Sequence, residues 1–89
     1  MKPHTKLYLA EMGYDESDWI PCEIPGCESR CIDVHHIERR GMGGTKQPEQ
    51  IENLMGLCRW HHEKYGDIKQ FKPFLNQVHH DYIIQRRGH

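Results

Sequence analysis

Four cysteines and four of the eight histidines fall between positions 22 and 62, as Cys22, Cys27, Cys31, Cys58, His35, His36, His61 and His62. Nothing else in the chain limits its possible folds as strongly. With 89 residues it is read as one domain, and only 36% of those residues are hydrophobic. A chain of that size buries a modest core and often needs a metal or disulfides as a staple. The N-terminal stretch is broken by Glu11, Asp15 and Glu16, so it has no signal-like apolar run, and no window has the length of a membrane span. The chain is therefore expected in a reducing cytosol, free of the membrane. There, clustered cysteines point to metal before disulfides. Two disulfides, pairable in three ways, are the weaker reading beside so many histidines.

Spacing sorts these residues into two constellations. Structural zinc takes four tetrahedral Cys or His ligands, usually as two closely spaced pairs. Cys22 and Cys27 flank a Pro25-Gly26 turn and make one candidate pair. Cys58 and His61, at C-x2-H on the start of a helix, make the other. Cys27 and Cys31 form a competing pair, but Cys31 is read as a small buried residue on a strand. The second constellation suits phosphodiester hydrolysis, which needs an activated water and a cation at the phosphate. His36 is the candidate base, with His35 and His62 as candidate ligands of a divalent cation. Adjacent residues of an ideal strand point to opposite faces. For both histidines to serve one site, the strand must end or twist there.

The coarse reading is α+β. Residues 3–12 form a helix opened by Pro3 and stopped by Gly13, and a turn follows with Ser17 as its cap. Arg30 to Ile37 alternates and is read as a strand; 38–50 is a loop; Asn53 to Leu57 is a second, antiparallel strand. Arg59 to Tyr65 is a helix ending at Gly66. The segment 67–85 carries an apolar stripe at helical spacing, with a kink or a fresh start at Pro73. The tail from Arg86 is expected to fray. Trp60 is read as core, His79 and His80 as exposed and inert on the C-terminal helix, and His4 and His89 as inert. The formal net charge is -1, so nucleic-acid contact would depend on local basic pairs such as Arg39-Arg40 and Arg86-Arg87.

The runs DVHHI, RRGMGG and ENLMGLCRWHH together resemble the HNH endonuclease family, and small phage and prophage members in particular, over Cys22 to Gly66. The resemblance implies a ββα-metal core with a zinc knuckle and flanking helices. It implies His36 as general base and His35 and His62 as ligands of a catalytic divalent cation. Asn53 would brace the hairpin loop and orient the base. The family's second knuckle commonly reads C-x2-C-H, and here His61 stands where a cysteine would. Some relatives place a further histidine four residues after the last one; here that position is Gly66. Two protein ligands suit Mg²⁺ or Mn²⁺, while imidazole also admits Zn²⁺ or Ni²⁺. The implied activity is nicking or cutting of double-stranded DNA with low sequence specificity. It would act through backbone contacts in the minor groove, aided by Arg39 and Arg40, in a bacterial or phage-infected cell. So small a chain leaves room for a larger nuclease or packaging assembly as partner. The competing reading is a non-catalytic zinc module that binds nucleic acid or protein.

Overall fold

In the computed structural model, which describes residues 2–38 and 49–87, the chain runs helix, zinc-knuckle-like loop, strand, strand, helix, helix. Helix α1 spans Pro3–Met12, with proline in its first turn. Gly13 ends it in the left-handed conformation at φ 77, where only glycine avoids a steric penalty. The following turn is built around Asp15, whose carboxylate accepts from the Ser17 amide and hydroxyl. Asp15, and not the expected Ser17, therefore organises it.

Two strands, β1 (Asp33–His36) and β2 (Leu54–Leu57), form a two-stranded antiparallel sheet. Asp33 pairs with Leu57, Val34 with Gly56, His35 with Met55 and His36 with Leu54. Both strands are shorter than the alternation suggested. Arg30 makes only an isolated bridge to Pro21, and Asn53 closes a 3-10 turn over Ile51–Asn53. Helix α2 (Arg59–Tyr65) follows at once and ends at Gly66. Helix α3 (Lys72–Arg87) starts afresh beside Pro73, which sits in its first turn and breaks no interior bond.

All four residues of β2 are buried, because each face meets a different layer. Leu54 joins Tyr8, Leu9, Met12, Ile51 and Ile83 beneath α1 and α3. Met55 and Leu57 join Cys22, Ile24, Ile37, Cys58 and Leu75 on the knuckle side. Gly56 is required by close approach. A Cβ there would lie 2.7 Å from the Tyr8 hydroxyl and 3.0 Å from the Cys31 sulfur.

The two layers meet at a buried polar hub. The Glu23 side chain is wholly buried. Its Oε2 accepts from the Tyr8 hydroxyl and, at 2.9 Å, from the Gly56 amide. Its Oε1 lies 2.6 Å from His79 Nδ1, and His79 Nε2 donates over 2.6 Å to the Ile51 carbonyl. A carbonyl only accepts, so Nε2 carries a proton, and with Nδ1 on a carboxylate the ring is held as imidazolium. Burial alone would lower the His79 pKa, but the hydrogen bond and charge of Glu23 and the Ile51 carbonyl outweigh it and raise the value. Burial, and after it Glu23, push the Tyr8 phenol far up, so it stays the donor.

Three expectations are corrected here. His79 is buried at the hub, because its place at Leu75 + 4 and Ile83 − 4 puts it on the inner stripe of α3. Trp60 is 61% exposed, stacked at its edge by His61 with the Lys64 ammonium 4.5 Å over the ring. Arg86 and Arg87 do not fray. Arg86 donates to the Met12 carbonyl at 2.9 and 3.2 Å, capping α1 from outside, and Arg87 pairs with Glu11 at 3.0 Å. These cations are engaged with α1, which weakens their case as a nucleic-acid contact.

Removing one partner of a buried pair leaves the other charge stranded, at a cost of about 3–5 kcal/mol. His79→Ala is expected to lower unfolding free energy by that order in urea titrations. In the unfolded chain histidine titrates near 6.5, and His79 titrates above that when folded. Its stabilisation is therefore complete below about pH 6.5 and is lost as pH rises through the folded value. The gap between wild type and His79→Ala should narrow from pH 6 to pH 9; a constant gap would contradict the imidazolium.

Candidate metal centre and histidine cavity

The knuckle forms because short-range geometry brings two pairs of donors to one point. Residues 24–27 make a turn in which the Cys27 amide donates to the Ile24 carbonyl at 3.0 Å. Gly26 takes φ 81 behind Pro25, the pattern of a type II turn. Cys58 is the N-cap of α2, with its sulfur accepting from the His61 amide. The four donors Cys22, Cys27, Cys58 and His61 all lie within 4.8 Å of one another.

Their spacing fits zinc. Tetrahedral Zn–S and Zn–N bonds of about 2.3 and 2.0 Å put two sulfurs about 3.8 Å apart, and a sulfur and a nitrogen about 3.5 Å apart. Cys27 Sγ and Cys58 Sγ are 3.9 Å apart. His61 Nδ1 lies 3.5 Å from Cys22 Sγ and 3.3 Å from Cys58 Sγ. All four cysteines are free, and the 3.9 Å gap is far beyond a disulfide bond. Burial pushes the Cys22 thiol up to about 12, so a cation is what would make it a thiolate. Desolvation raises Cys27, but hydrogen bonds from Ser29, with those of Cys22 and Cys58, outweigh it and the thiol is lowered. Burial, with Lys64 second, keeps His61 below the usual imidazole value and hence neutral, as a ligand must be. Cys31 stands outside the group. Its thiol is raised to about 11, chiefly by burial, and it packs over Gly56, consistent with a structural role. The group can thus hold a structural metal such as zinc, and the ambiguity between His61 and His62 resolves to His61.

His62 turns the other way, into a cleft of about 910 Å³ that His4, His35, His36, Asp33 and Asp67 also line. The His35 and His62 rings are 4.9 Å apart, edge to face. His35 Nε2 is a buried polar atom with no hydrogen-bond partner among the described residues. Burial, and after it His62, hold His35 below the ordinary imidazole value, so its lone pair is free at neutral pH. Asp33 Oδ2 lies 3.5 Å from His62 Nδ1, where a carboxylate steadies the ring and leaves Nε2 available. His35 Nε2 and the His62 ring are two nitrogen donors on one side of the cleft, with the Asp33 carboxylate behind His62. Gly66 leaves no room for another ligand. A Cβ there would lie 2.4 Å from the His62 carbonyl oxygen and 3.3 Å from His35 Cε1.

His36 does not turn to join His35. In the register of β1 they point to opposite faces, His35 beside Met55 and His36 beside Leu54. Both nonetheless line one cleft, because it wraps the open edge of a two-stranded sheet. His36 Nε2 is 3.0 and 3.2 Å from the two Glu49 oxygens, and its ring is 4.6 Å from that of His4. His4 is thus part of the site, a correction to its reading as inert. Asn53 braces the hairpin: its Oδ1 accepts from the Glu38 amide at 2.7 Å and its Nδ2 donates to the Glu38 carbonyl at 2.9 Å. It holds the chain two residues past His36, and the contact described here is not to the imidazole. Arg39, Arg40 and the glycine-rich stretch 41–44 lie outside the described residues. The sequence held no signal for Glu49 or His4, since one lies at the end of the loop and the other belongs to α1.

No protein-family model matches this chain, and no solved structure matches it at a significant level.

Structural zinc contributes about 10–16 kcal/mol in small zinc-finger peptides, more than a domain of this size holds otherwise. Cys58→Ser is expected to emerge with no stoichiometric zinc and no cooperative melt, whereas Cys31→Ser keeps one zinc per chain. Metal analysis with circular dichroism checks both; a folded, zinc-free Cys58→Ser protein would remove the knuckle as a structural centre.

Proposed function

We propose that this protein is a metal-dependent DNA endonuclease of the HNH type, which hydrolyses backbone phosphodiesters with little sequence preference. The observation that carries the reading is the buried Nε2 of His35, without a hydrogen-bond partner among the described residues, beside the His62 ring in a cleft that His36 also lines. The β-hairpin-plus-helix order of these three histidines, with Asn53 bracing the hairpin, supports it.

The chemistry follows from the donors. A divalent cation held by His35 and His62 would supply positive charge to the phosphate oxygens and the leaving 3′ oxygen. With Nε2–H donating to Glu49, neutral His36 keeps its lone pair on Nδ1. There it takes the proton of a water that attacks phosphorus in line, leaving a 5′-phosphate and a 3′-hydroxyl. Asp33 fixes His62, and the Asn53 clamp on Glu38 fixes the end of β1. Lys2, which lines the cleft, would meet a backbone phosphate, a contact that positions the duplex without reading its sequence.

A positioned general base contributes about 10²–10⁴-fold. His36→Ala is expected to lower nicking of supercoiled plasmid by at least about 10²-fold while leaving the melting curve in place. The assay uses zinc-loaded protein stripped of exchangeable metal, with Mg²⁺, Mn²⁺, Ni²⁺ or Zn²⁺ added back. Nicking at the wild-type rate in the variant would remove His36 as base. Absence of nicking with every ion, by folded protein that retains its zinc, would favour a non-catalytic zinc module.

A further inference from the structure

One cluster beside the cleft is not used by the knuckle or by the His35–His62 pair. His4 on α1, His36 on β1 and Glu49 just before the 3-10 turn each offer a donor atom, and these lie within 4.8 Å of one another. The closest contact, His36 Nε2 to Glu49 at 3.0 Å, is already near the spacing of two ligands on one ion. Bonds of about 2.0–2.2 Å allow two ligands to stand at most about 4.4 Å apart, so small side-chain rotations close the set. All three side chains are partly buried, which limits the loss of rotamer freedom on binding. Three elements distant in sequence converge here, and each brings a group with a lone pair for a metal.

We propose that His4, His36 and Glu49 form a separate cation site for a transition ion of the Zn²⁺ or Ni²⁺ class, and that an ion there silences His36. Two imidazoles and one carboxylate favour such ions over Mg²⁺. The ion takes the place of the proton between His36 Nε2 and Glu49. A neutral imidazole has one N–H, so ligation at Nε2 moves that proton to Nδ1 and removes the lone pair that would accept a proton from water. Ligation and base function at His36 are therefore mutually exclusive. The site itself stands on geometry alone; the silencing rests on the nuclease reading. High transition-metal concentration would then inhibit an enzyme that the same ions can support at the His35–His62 position.

Calorimetric titration of zinc-loaded protein with NiCl₂ tests the site. Wild type is expected to bind Ni²⁺ beyond the knuckle zinc, with one equivalent lost or weakened at least tenfold in both His4→Ala and Glu49→Gln, and kept in His62→Ala. Circular dichroism confirms that each variant is folded. An unchanged isotherm in the two folded variants overturns the site, whatever the outcome for the nuclease. Plasmid nicking in Mg²⁺ with Ni²⁺ added then tests silencing. The wild-type rate should fall at least tenfold relative to its own Ni²⁺-free rate, and the rate of His4→Ala should not fall. Equal inhibition of both proteins overturns the exclusion. If neither protein nicks with Mg²⁺, Mn²⁺, Ni²⁺ or Zn²⁺, the nuclease reading fails and the silencing with it, while the isotherm still decides the site.

Discussion

The carboxylate of Glu23 is the constraint on which the other elements depend. It has no exposed surface, so its charge must be matched inside the protein. The match comes from three directions: the phenol of Tyr8 on α1, the amide of Gly56 on β2 and the imidazolium of His79 on α3. His79 passes the tie on to the Ile51 carbonyl, at the turn that starts β2. Because Glu23 follows Cys22 directly, the same residue anchors the knuckle to the layer beneath it. A short chain with a small apolar core thus gains a directional centre that fixes how three elements sit. Apolar contact alone would leave that orientation loosely specified.

This frame explains how a two-residue His-His run serves one cleft without distortion. Among the described residues the sheet has two strands, so β1 has an edge that no other described strand covers. Side chains on both of its faces reach the cleft around that edge. His35 meets α2 and His36 meets α1, and each acquires different company: His62 and Asp33 on one side, His4 and Glu49 on the other. In the proposed enzyme this division separates the cation-holding imidazole from the proton-accepting one. Placing them on one face would bring two imidazoles into competition for a single ion.

The knuckle and the cleft are joined by α2. His61 and His62 are adjacent, and a helix turns successive side chains by about 100°. One therefore faces the cysteines and the other the His35 ring. Cys58, at the helix N-cap, both starts α2 and completes the donor set. An ion at the knuckle would thus set the position of the cleft's histidine through one short rigid element.

Much of this was legible in the sequence because it depends on local rules. Pro3 and Gly13 bracket α1, Pro25-Gly26 closes the cysteine turn, Gly66 ends α2, and Pro73 restarts the helix as α3. Each is a backbone preference that acts over a few residues. The donor set of the knuckle could be read from spacing for the same reason. What only the tertiary structure decided are the partners drawn from distant parts of the chain. His79 looked like an exposed helical histidine until α3 packed it onto Glu23, 56 positions away. His4 and Glu49 acquire meaning only when α1 and the end of the loop close around His36. Arg86 looked like a frayed tail until it found the last carbonyl of α1. Local sequence dictates where helices and turns begin and end, whereas the company a polar side chain keeps depends on long-range burial, which no short window of sequence encodes.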